Sequence, residues 1–239
     1  MNGSQYCIYI MASNSGTLYT GVTNDLERCL QSSIRNRQTA ILLMISGILL
    51  AAGESRRMGS AKALLHYQGQ TFIARICNAF LTAGVDELIV VLGARAEQLR
   101  QVLPIHSKLR TVINSRYNLG QLSSLMVGIG ALSPGSEAAI VNLVDHPVID
   151  AKTINALISS FRTAPLPILI ASYQGKRGHP VLFSSQVYGE ILAAPLDQGA
   201  KVVVRKDPTR VREVPLDDPG ILADIDTPED YVRYVGLKK

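Results

Sequence analysis

The sequence predicts an α/β fold: a mostly parallel, twisted sheet with helices on both faces. Three observations carry that prediction. From residue 44 onward, strand-like and helix-like segments alternate, which is the pattern of βαβ units. The first strand lies in a long apolar run, Ala40–Gly53, interrupted only by Ser46 and the glycines, as expected of a parallel strand covered on both faces. The chain has 239 residues, 47% apolar and 18% charged, enough to bury a substantial core.

The elements run in this order. ISGILLAA, residues 45–52, is the first strand, and TFIARICNAFLTAG, residues 71–84, is a helix capped by Thr71 and stopped by Gly84. ELIVVLG is a strand, RAEQLRQVL a short helix ended by Pro104, and RTVIN a strand. GQLSSLMVGIGAL is a helix in which Gly128 and Gly130 are read as packing positions. AAIVNLVD is a strand and AKTINALISSFRTA a helix. PILIASY and HPVLFS are strands around the polar turn QGKRG, and SSQVYGEILAA is a helix. VREVPL and ILADID are short strands, and TPEDYVRYV closes the chain as a helix with Pro228 in its first turn.

Residues 1–43 stand outside this alternation. YCIYIMAS and GTLYTGVT read as a hairpin around NSG, and NDLERCLQSSIRNRQ as a helix. That piece is too short to form a core of its own. The expected division is therefore an extension over 1–43 and a main domain over 44–239, with Met44 as its natural start.

Charge and composition narrow the function. The net charge of +5 and pI near 9.2 come without a long Lys/Arg block. That suits an anionic small molecule at least as well as nucleic acid. With no Trp and 5% aromatics, a stacking platform for single strands is not expected, and nucleic acid is not the predicted partner. The apolar run Ala40–Gly53 falls short of the ~20 residues that span a bilayer, so no membrane association is expected. Cys7, Cys29 and Cys77 form neither a disulfide framework nor a CxxC metal motif, and a reducing cytoplasm is the expected setting.

The chemistry concentrates where the first strand ends. LLAAGESRRMGSAKALL runs from strand into a loop with Gly53 and Gly59. Successive N–H groups of such a loop can cradle phosphate oxygens. Arg57 can grip a polyphosphate with a fork of donors and Lys62 adds a point charge. The loop lacks the GK[ST] of a Walker motif and the GxGxxG of a dinucleotide fingerprint. In NLVDHP, Asp145 follows a strand, where a carboxylate can hold Mg²⁺; His146 is read as a turn residue. In ADIDTPED, Asp224 and Asp226 share one side if the segment is extended. Asp224 is the preferred second metal ligand, with Asp226 or Thr227 capping the last helix.

The order L-A-A-G-x-S-x-R-M-G-x-x-K over Leu50–Lys62 resembles the signature of MobA-like NTP transferases, whose fold is the Rossmann-like one of nucleotide-diphospho-sugar transferases. The resemblance runs from about residue 45 to 235 and takes in VDHP, NSRYNLGQLSSL, RGHP and DIDTPED. It implies that Ala51, Ala52, Gly53, Ser55, Arg57, Gly59, Lys62, Asn118, Gly120 and Ser124 bind the nucleotide. It implies catalytic roles for Arg57, Lys62 and Asp145, and Mg²⁺ on Asp145 and Asp224. Arg177, Gly178 and His179 would face the acceptor. Ala52 in A-A-G and the GHP segment resemble the cytidine-nucleotide branch, which implies CTP as substrate, molybdopterin (the molybdenum cofactor) as acceptor and a molybdenum hydroxylase as client. A related transferase using GTP or another acceptor, and a delivery protein that holds the cofactor without turnover, stay open.

The N-terminal piece resembles the start of a GIY-YIG nuclease domain, with Cys7-Ile8-Tyr9 at the first motif and Tyr19-Thr20-Gly21 at the second. Cys29 stands where that family carries its arginine, beside Arg28. The metal-binding part of that family has no counterpart here, so a vestigial extension without nuclease activity is expected.

Overall fold

The computed structural model describes residues 7–12, 18–23, 43–54 and 61–235. The chain divides into two compact units, Met1–Leu42 and Leu43–Lys239. In the first, β1 (Cys7–Ala12) pairs antiparallel with β2 (Leu18–Thr23), placing Tyr9 opposite Gly21 and Met11 opposite Tyr19. This is the expected hairpin. The helix expected after it lies outside the described residues.

The second unit is built on a seven-stranded sheet. Its first strand, β3 (Met44–Ala51), is followed by a small β4–β5 ribbon (His66–Tyr67, Gln70–Thr71) and helix α1 (Phe72–Thr82). Next come β6 (Glu87–Leu92), α2 (Ala96–Arg100), β7 (Leu109–Ile113), α3 (Gln121–Gly130) and β8 (Ser136–Leu143). After these are α4 (Ala151–Thr163), β9 (Ile168–Tyr173), β10 (Lys176–Ser184), α5 (Tyr188–Leu192) and α6 (Lys201–Arg205). The short strand β11 (Val211–Pro215) and α7 (Pro228–Val235) complete it. The order across the sheet is β11-β9-β10-β8-β3-β6-β7, and β10 alone runs antiparallel to its neighbours. Its hairpin with β9 turns on Gln174 and Gly175, both at positive φ, the geometry of a tight two-residue connection.

β3 shows why the apolar run is continuous. Ile45 and Leu49 pack on one face with Phe80 and Leu157, under α1 and α4. Ile48 and Leu50 pack on the other with Leu125 and Ile129 of α3. Each such side chain, almost fully buried, contributes ~1.5–3 kcal/mol. Gly128 is a packing position as expected: a Cβ there would come 2.8 Å from Ile48 Cγ2. Gly130 has open space around it. At the amino end of the strands, buried Glu87 accepts from Ser46 Oγ, Ser133 Oγ and N–H, and Arg110. That network ties β3, β6, β7 and the loop before β8 together far from the loop end.

Two expectations are corrected. ILADID is not a strand. Pro219 and Gly220, with Asp218 accepting from the Gly220 N–H, turn the chain into a 3₁₀ segment, Pro219–Leu222. Beyond Leu222 the chain continues to Asp226 without regular structure. This stretch is docked by one backbone bond, Ile225 N–H to the Asp145 carbonyl, and by the buried Ile225 side chain beside Tyr67 and Phe72. SSQVYGEILAA is helical only in part, a 3₁₀ turn (Ser185–Val187) leading into α5. The unforeseen α6 carries three consecutive valines, a β-branched run that local propensity assigns elsewhere.

Gly93 follows β6 and abuts the end of β3; a Cβ there would lie 2.4 Å from the Ala52 carbonyl oxygen. That neighbour is backbone and cannot rotate away. Gly93→Ala should therefore cost ~1–3 kcal/mol, read as a lower urea midpoint at unchanged m-value. An unshifted midpoint would refute the close approach.

Candidate functional site

Strand order reverses beside β3, with β6 and β7 on one side and β8 on the other. In open α/β sheets such a reversal leaves a crevice beyond the carboxyl ends of the strands, where ligands bind. A cleft of about 290 Å³ opens there. Leu50, Ala52 and Gly53 line it from the end of β3, and Leu143, Val144 and Asp145 from the end of β8. Tyr117, Gly120, Gln121 and Ser124 line it from the entry to α3, and Lys62 from the 3₁₀ turn Lys62–Leu64.

Five charged or titratable groups meet around Asp145. A carboxylate oxygen of Asp145, one of Asp224 and a ring nitrogen of His146 all lie within 4.8 Å of one another. Lys62 Nζ donates to Asp226 Oδ1 and stands 3.9 Å from Asp145 Oδ2. Local structure explains the convergence. The turn after β8 is held by Asn142, whose Nδ2 donates to the Leu143 and His146 carbonyls, and by Arg75 Nε donating to the Pro147 carbonyl. Asp224 and Asp226 arrive on the docked segment, and a reciprocal cap sets its exit. The Thr227 hydroxyl accepts from Asp230 N–H, while Asp230 accepts from the Asp226 and Thr227 N–H groups. Asp226 itself therefore points to Lys62 instead of capping.

The electrostatics reflect burial and crowding. Burial raises the Asp145 carboxyl, partly countered by the Lys62 charge. Asp224 is pushed up to about 6 by desolvation and then by the charges of Asp145 and Asp226. Burial lowers His146 to about 4 and His179 to about 3, so both rings are neutral at pH 7. Asp145 Oδ1 and His146 Nδ1 are buried without hydrogen-bond partners. Such atoms are costly to leave unsatisfied. Two carboxylates and an imidazole, with one orphaned atom on Asp145 and one on His146, fit a divalent cation.

The structure distributes the expected residues unevenly. Ala52, Gly53, Lys62, Gly120, Ser124 and Asp145 share the cleft wall, and Ala51 lies buried behind it in the core. Ser55, Arg57 and Gly59 lie outside the described residues. Asn118 is exposed on the 3₁₀ turn Tyr117–Leu119, and its neighbours Tyr117 and Gln121 face the cleft instead. Gly120 there has φ +97°, a value that side chains rarely adopt. Arg177 is paired with Glu213 of β11 at 2.8 Å. Gly178 packs so closely on Ile221 that a Cβ would lie 2.3 Å from its carbonyl oxygen. His179 alone of the three expected acceptor residues reaches the acidic cluster, its ring 4.6 Å from that of His146.

His146 lies in a turn as expected, its N–H donating to the Leu143 carbonyl; sequence reasoning missed its place beside Asp224, Asp226 as the Lys62 partner, and Asn114. Asn114 ends β7, is 2% exposed and donates to the Ser123 and Ser124 hydroxyls. Its Oδ1 accepts from Arg116 N–H, which pins the entry to α3. A polar residue closing an apolar strand was the signal available for it.

Reversed strand order, a cleft at the loop ends and convergent carboxylates beside a lysine define a nucleotidyltransferase-type α/β protein. The family model described as MobA-like NTP transferase domain matches residues 47–212, and the chain belongs to that family. It is 31% identical over 200 residues to nicotine blue oxidoreductase of Paenarthrobacter nicotinovorans, covering 80% of this chain and 96% of that one. It is 29% identical over 127 residues to a probable molybdenum cofactor guanylyltransferase of Rhodopirellula baltica, covering 52% and 59%. Among solved structures, Rv0371c of Mycobacterium tuberculosis superposes with a TM-score of 0.72 at 29% identity, covering 81% and 98%. The same protein is known in complex with manganese, with a TM-score of 0.68.

The raised Asp224 carboxyl generates a pH dependence. Native Asp224 holds its proton up to about 6, against 3.8 ordinarily. Folding then takes up a proton between these values, and stability falls as pH rises through that window. In EDTA, Asp224→Asn should melt above wild type at pH 7.5, and the two midpoints should converge as pH approaches 4. A difference independent of pH would refute the crowding of these carboxylates.

Proposed function

We propose that the chain transfers CMP from CTP to the terminal phosphate of molybdopterin, with release of pyrophosphate. The observation that carries this reading is the convergence of Asp224 on Asp145, which lines the cleft together with Lys62. An acceptor phosphate oxygen attacks the α-phosphorus of the triphosphate. The bond to the bridging α,β-oxygen breaks, and pyrophosphate leaves with its electron pair. This chemistry asks the protein mainly for positioning and charge neutralisation. The acceptor phosphate is ionised at pH 7, so no general base is required.

The residues divide the work. Asp145 and Asp224 would hold the metal, with Mg²⁺ as the expected cation, and it would supply Lewis-acid stabilisation of charge on the phosphates. Arg57 and the loop backbone at Gly53 and Gly59 take the β- and γ-phosphates. Lys62, held by Asp226, keeps a cation beside the reacting phosphate and shields Asp145 from the incoming anion. Gly120 and Ser124, on the wall opposite β8, take the base and sugar. His179, with Arg177 and Gly178 on the same strand, faces the acceptor. The relative named as a guanylyltransferase makes GTP the competing nucleotide; Ala52 and the GHP segment favour CTP. The relative named as an oxidoreductase makes redox turnover the second reading.

Pyrophosphate release measured with each of four NTPs, with and without molybdopterin, tests the proposal. Release should require molybdopterin and be fastest with CTP. Preference for GTP would reassign the base. No release with any NTP, accompanied by redox turnover of nicotine blue, would favour the second reading. Asp145→Ala should lower kcat/KM about 10²–10³-fold, the scale of a lost transition-state contact; wild-type rates would remove Asp145 from the metal site.

The extension is assigned no role in this reaction. Deleting residues 1–43 should leave the rate of pyrophosphate release within about twofold of the full chain. Loss of soluble, folded protein on deletion would show the extension to be structural.

A further inference from the structure

A nitrogen donor stands among the carboxylates of the cleft. His146 is 7% exposed, and its Nδ1 is buried without a hydrogen-bond partner. One of its ring nitrogens lies within 4.8 Å of a carboxylate oxygen of Asp145 and of Asp224. The ring is not loosely placed. Its backbone N–H donates to the Leu143 carbonyl and its own carbonyl accepts from Asn142 Nδ2. One side of the imidazole is braced by His179 at 4.6 Å between ring centroids. His179 is itself fixed by a hydrogen bond to the Val141 backbone.

This arrangement has a consequence for which metal the site takes. Mg²⁺ demands hard oxygen donors in near-ideal octahedral geometry and keeps several waters. Imidazole is a borderline donor that suits first-row transition metals, which rise in affinity for N/O sites along the series from Mn²⁺. A site of oxygen donors alone would hold either class by charge and size. A site that adds an oriented imidazole nitrogen gains affinity chiefly for the transition-metal class.

We propose that His146 is a third, nitrogen ligand of the centre formed by Asp145 and Asp224, and that it makes this chain favour Mn²⁺-type cations over Mg²⁺. The proposal rests on the reading of Asp145 and Asp224 as metal ligands and goes beyond it by adding the nitrogen and the resulting selectivity. His179 acts as a positioning residue that holds the His146 ring.

The test uses the full, tag-free chain with MnCl₂ as the probe and no nucleotide. Mn²⁺ binding is followed by the loss of the free-ion EPR signal, and coordinated nitrogen by ¹⁴N modulation of the electron spin echo. Wild type should show ¹⁴N modulation, and His146→Gln should lose it. His146→Gln should also weaken Mn²⁺ binding about 10–100-fold or more, the loss that even an outer-shell partner causes. Mg²⁺ affinity, measured by competition, should change less than about threefold. His179→Gln should keep the modulation. Mn²⁺ binding that depends on Asp145 without ¹⁴N modulation would overturn the nitrogen ligand and leave the carboxylate reading standing. Modulation that survives His146→Gln but not His179→Gln would overturn it as well. Mn²⁺ binding unchanged by Asp145→Asn would overturn both. If His146→Gln does not fold, the wild-type echo and His179→Gln together still decide.

Discussion

Like charges crowded at the end of a parallel sheet are the constraint around which the second unit is arranged. Asp145, Asp224 and Asp226 are brought together with Lys62 as the cation paired to them among the described residues. Burial alone would drive such carboxyls to protonate. The fold prevents their escape by fixing each on a different anchor. Asp145 sits on a turn tied down by Asn142 and Arg75. Asp224 and Asp226 sit on a segment locked by Ile225 and by the Thr227–Asp230 cap. The repulsion is thereby stored in the fold, and a polyvalent cation or a phosphate-bearing ligand can use it.

The sheet supplies the stiffness. β3 is packed on both faces and hydrogen-bonded to β6 and β8 along its length. The Glu87–Ser46–Ser133–Arg110 network closes its amino end, and at the carboxyl end Ala52 and Gly53 open onto the cleft. Close backbone approach at Gly93 brings β6 against that same edge. Stability and chemistry thus occupy opposite ends of the strands, as expected where ligands bind beyond strand termini.

Much of this was legible in the sequence because local pattern and global fold agree. The continuous apolar β3, the Thr71 cap and the Gly128 contact all arise from side chains acting on near neighbours in space. Asp145 and Lys62 were legible as neighbours of one cleft because each follows closely on a strand end or its loop at the carboxyl edge of the sheet. The misses share a cause. ILADID carries strand residues, but Pro219, Gly220 and the single bond to Asp145 decide its path, and that bond partner is distant in sequence. His146 looked like a turn residue because nothing local shows that Asp224 and His179 arrive beside it. Asp226 looked like a cap because Asp230 and Thr227, which cap each other, left it to Lys62 only in three dimensions.

If these carboxylates form one cation-binding cluster, added metal must stabilise the folded chain. The most direct test is the melting midpoint of the full chain at pH 7.5 as Mg²⁺ or Mn²⁺ is added, in wild type and Asp145→Asn. A ligand bound only by the folded state raises stability as its concentration passes its Kd. Wild type should rise by several degrees and then continue upward logarithmically with metal, while Asp145→Asn stays flat. A flat wild-type curve, or an equal rise in both proteins, would contradict the account.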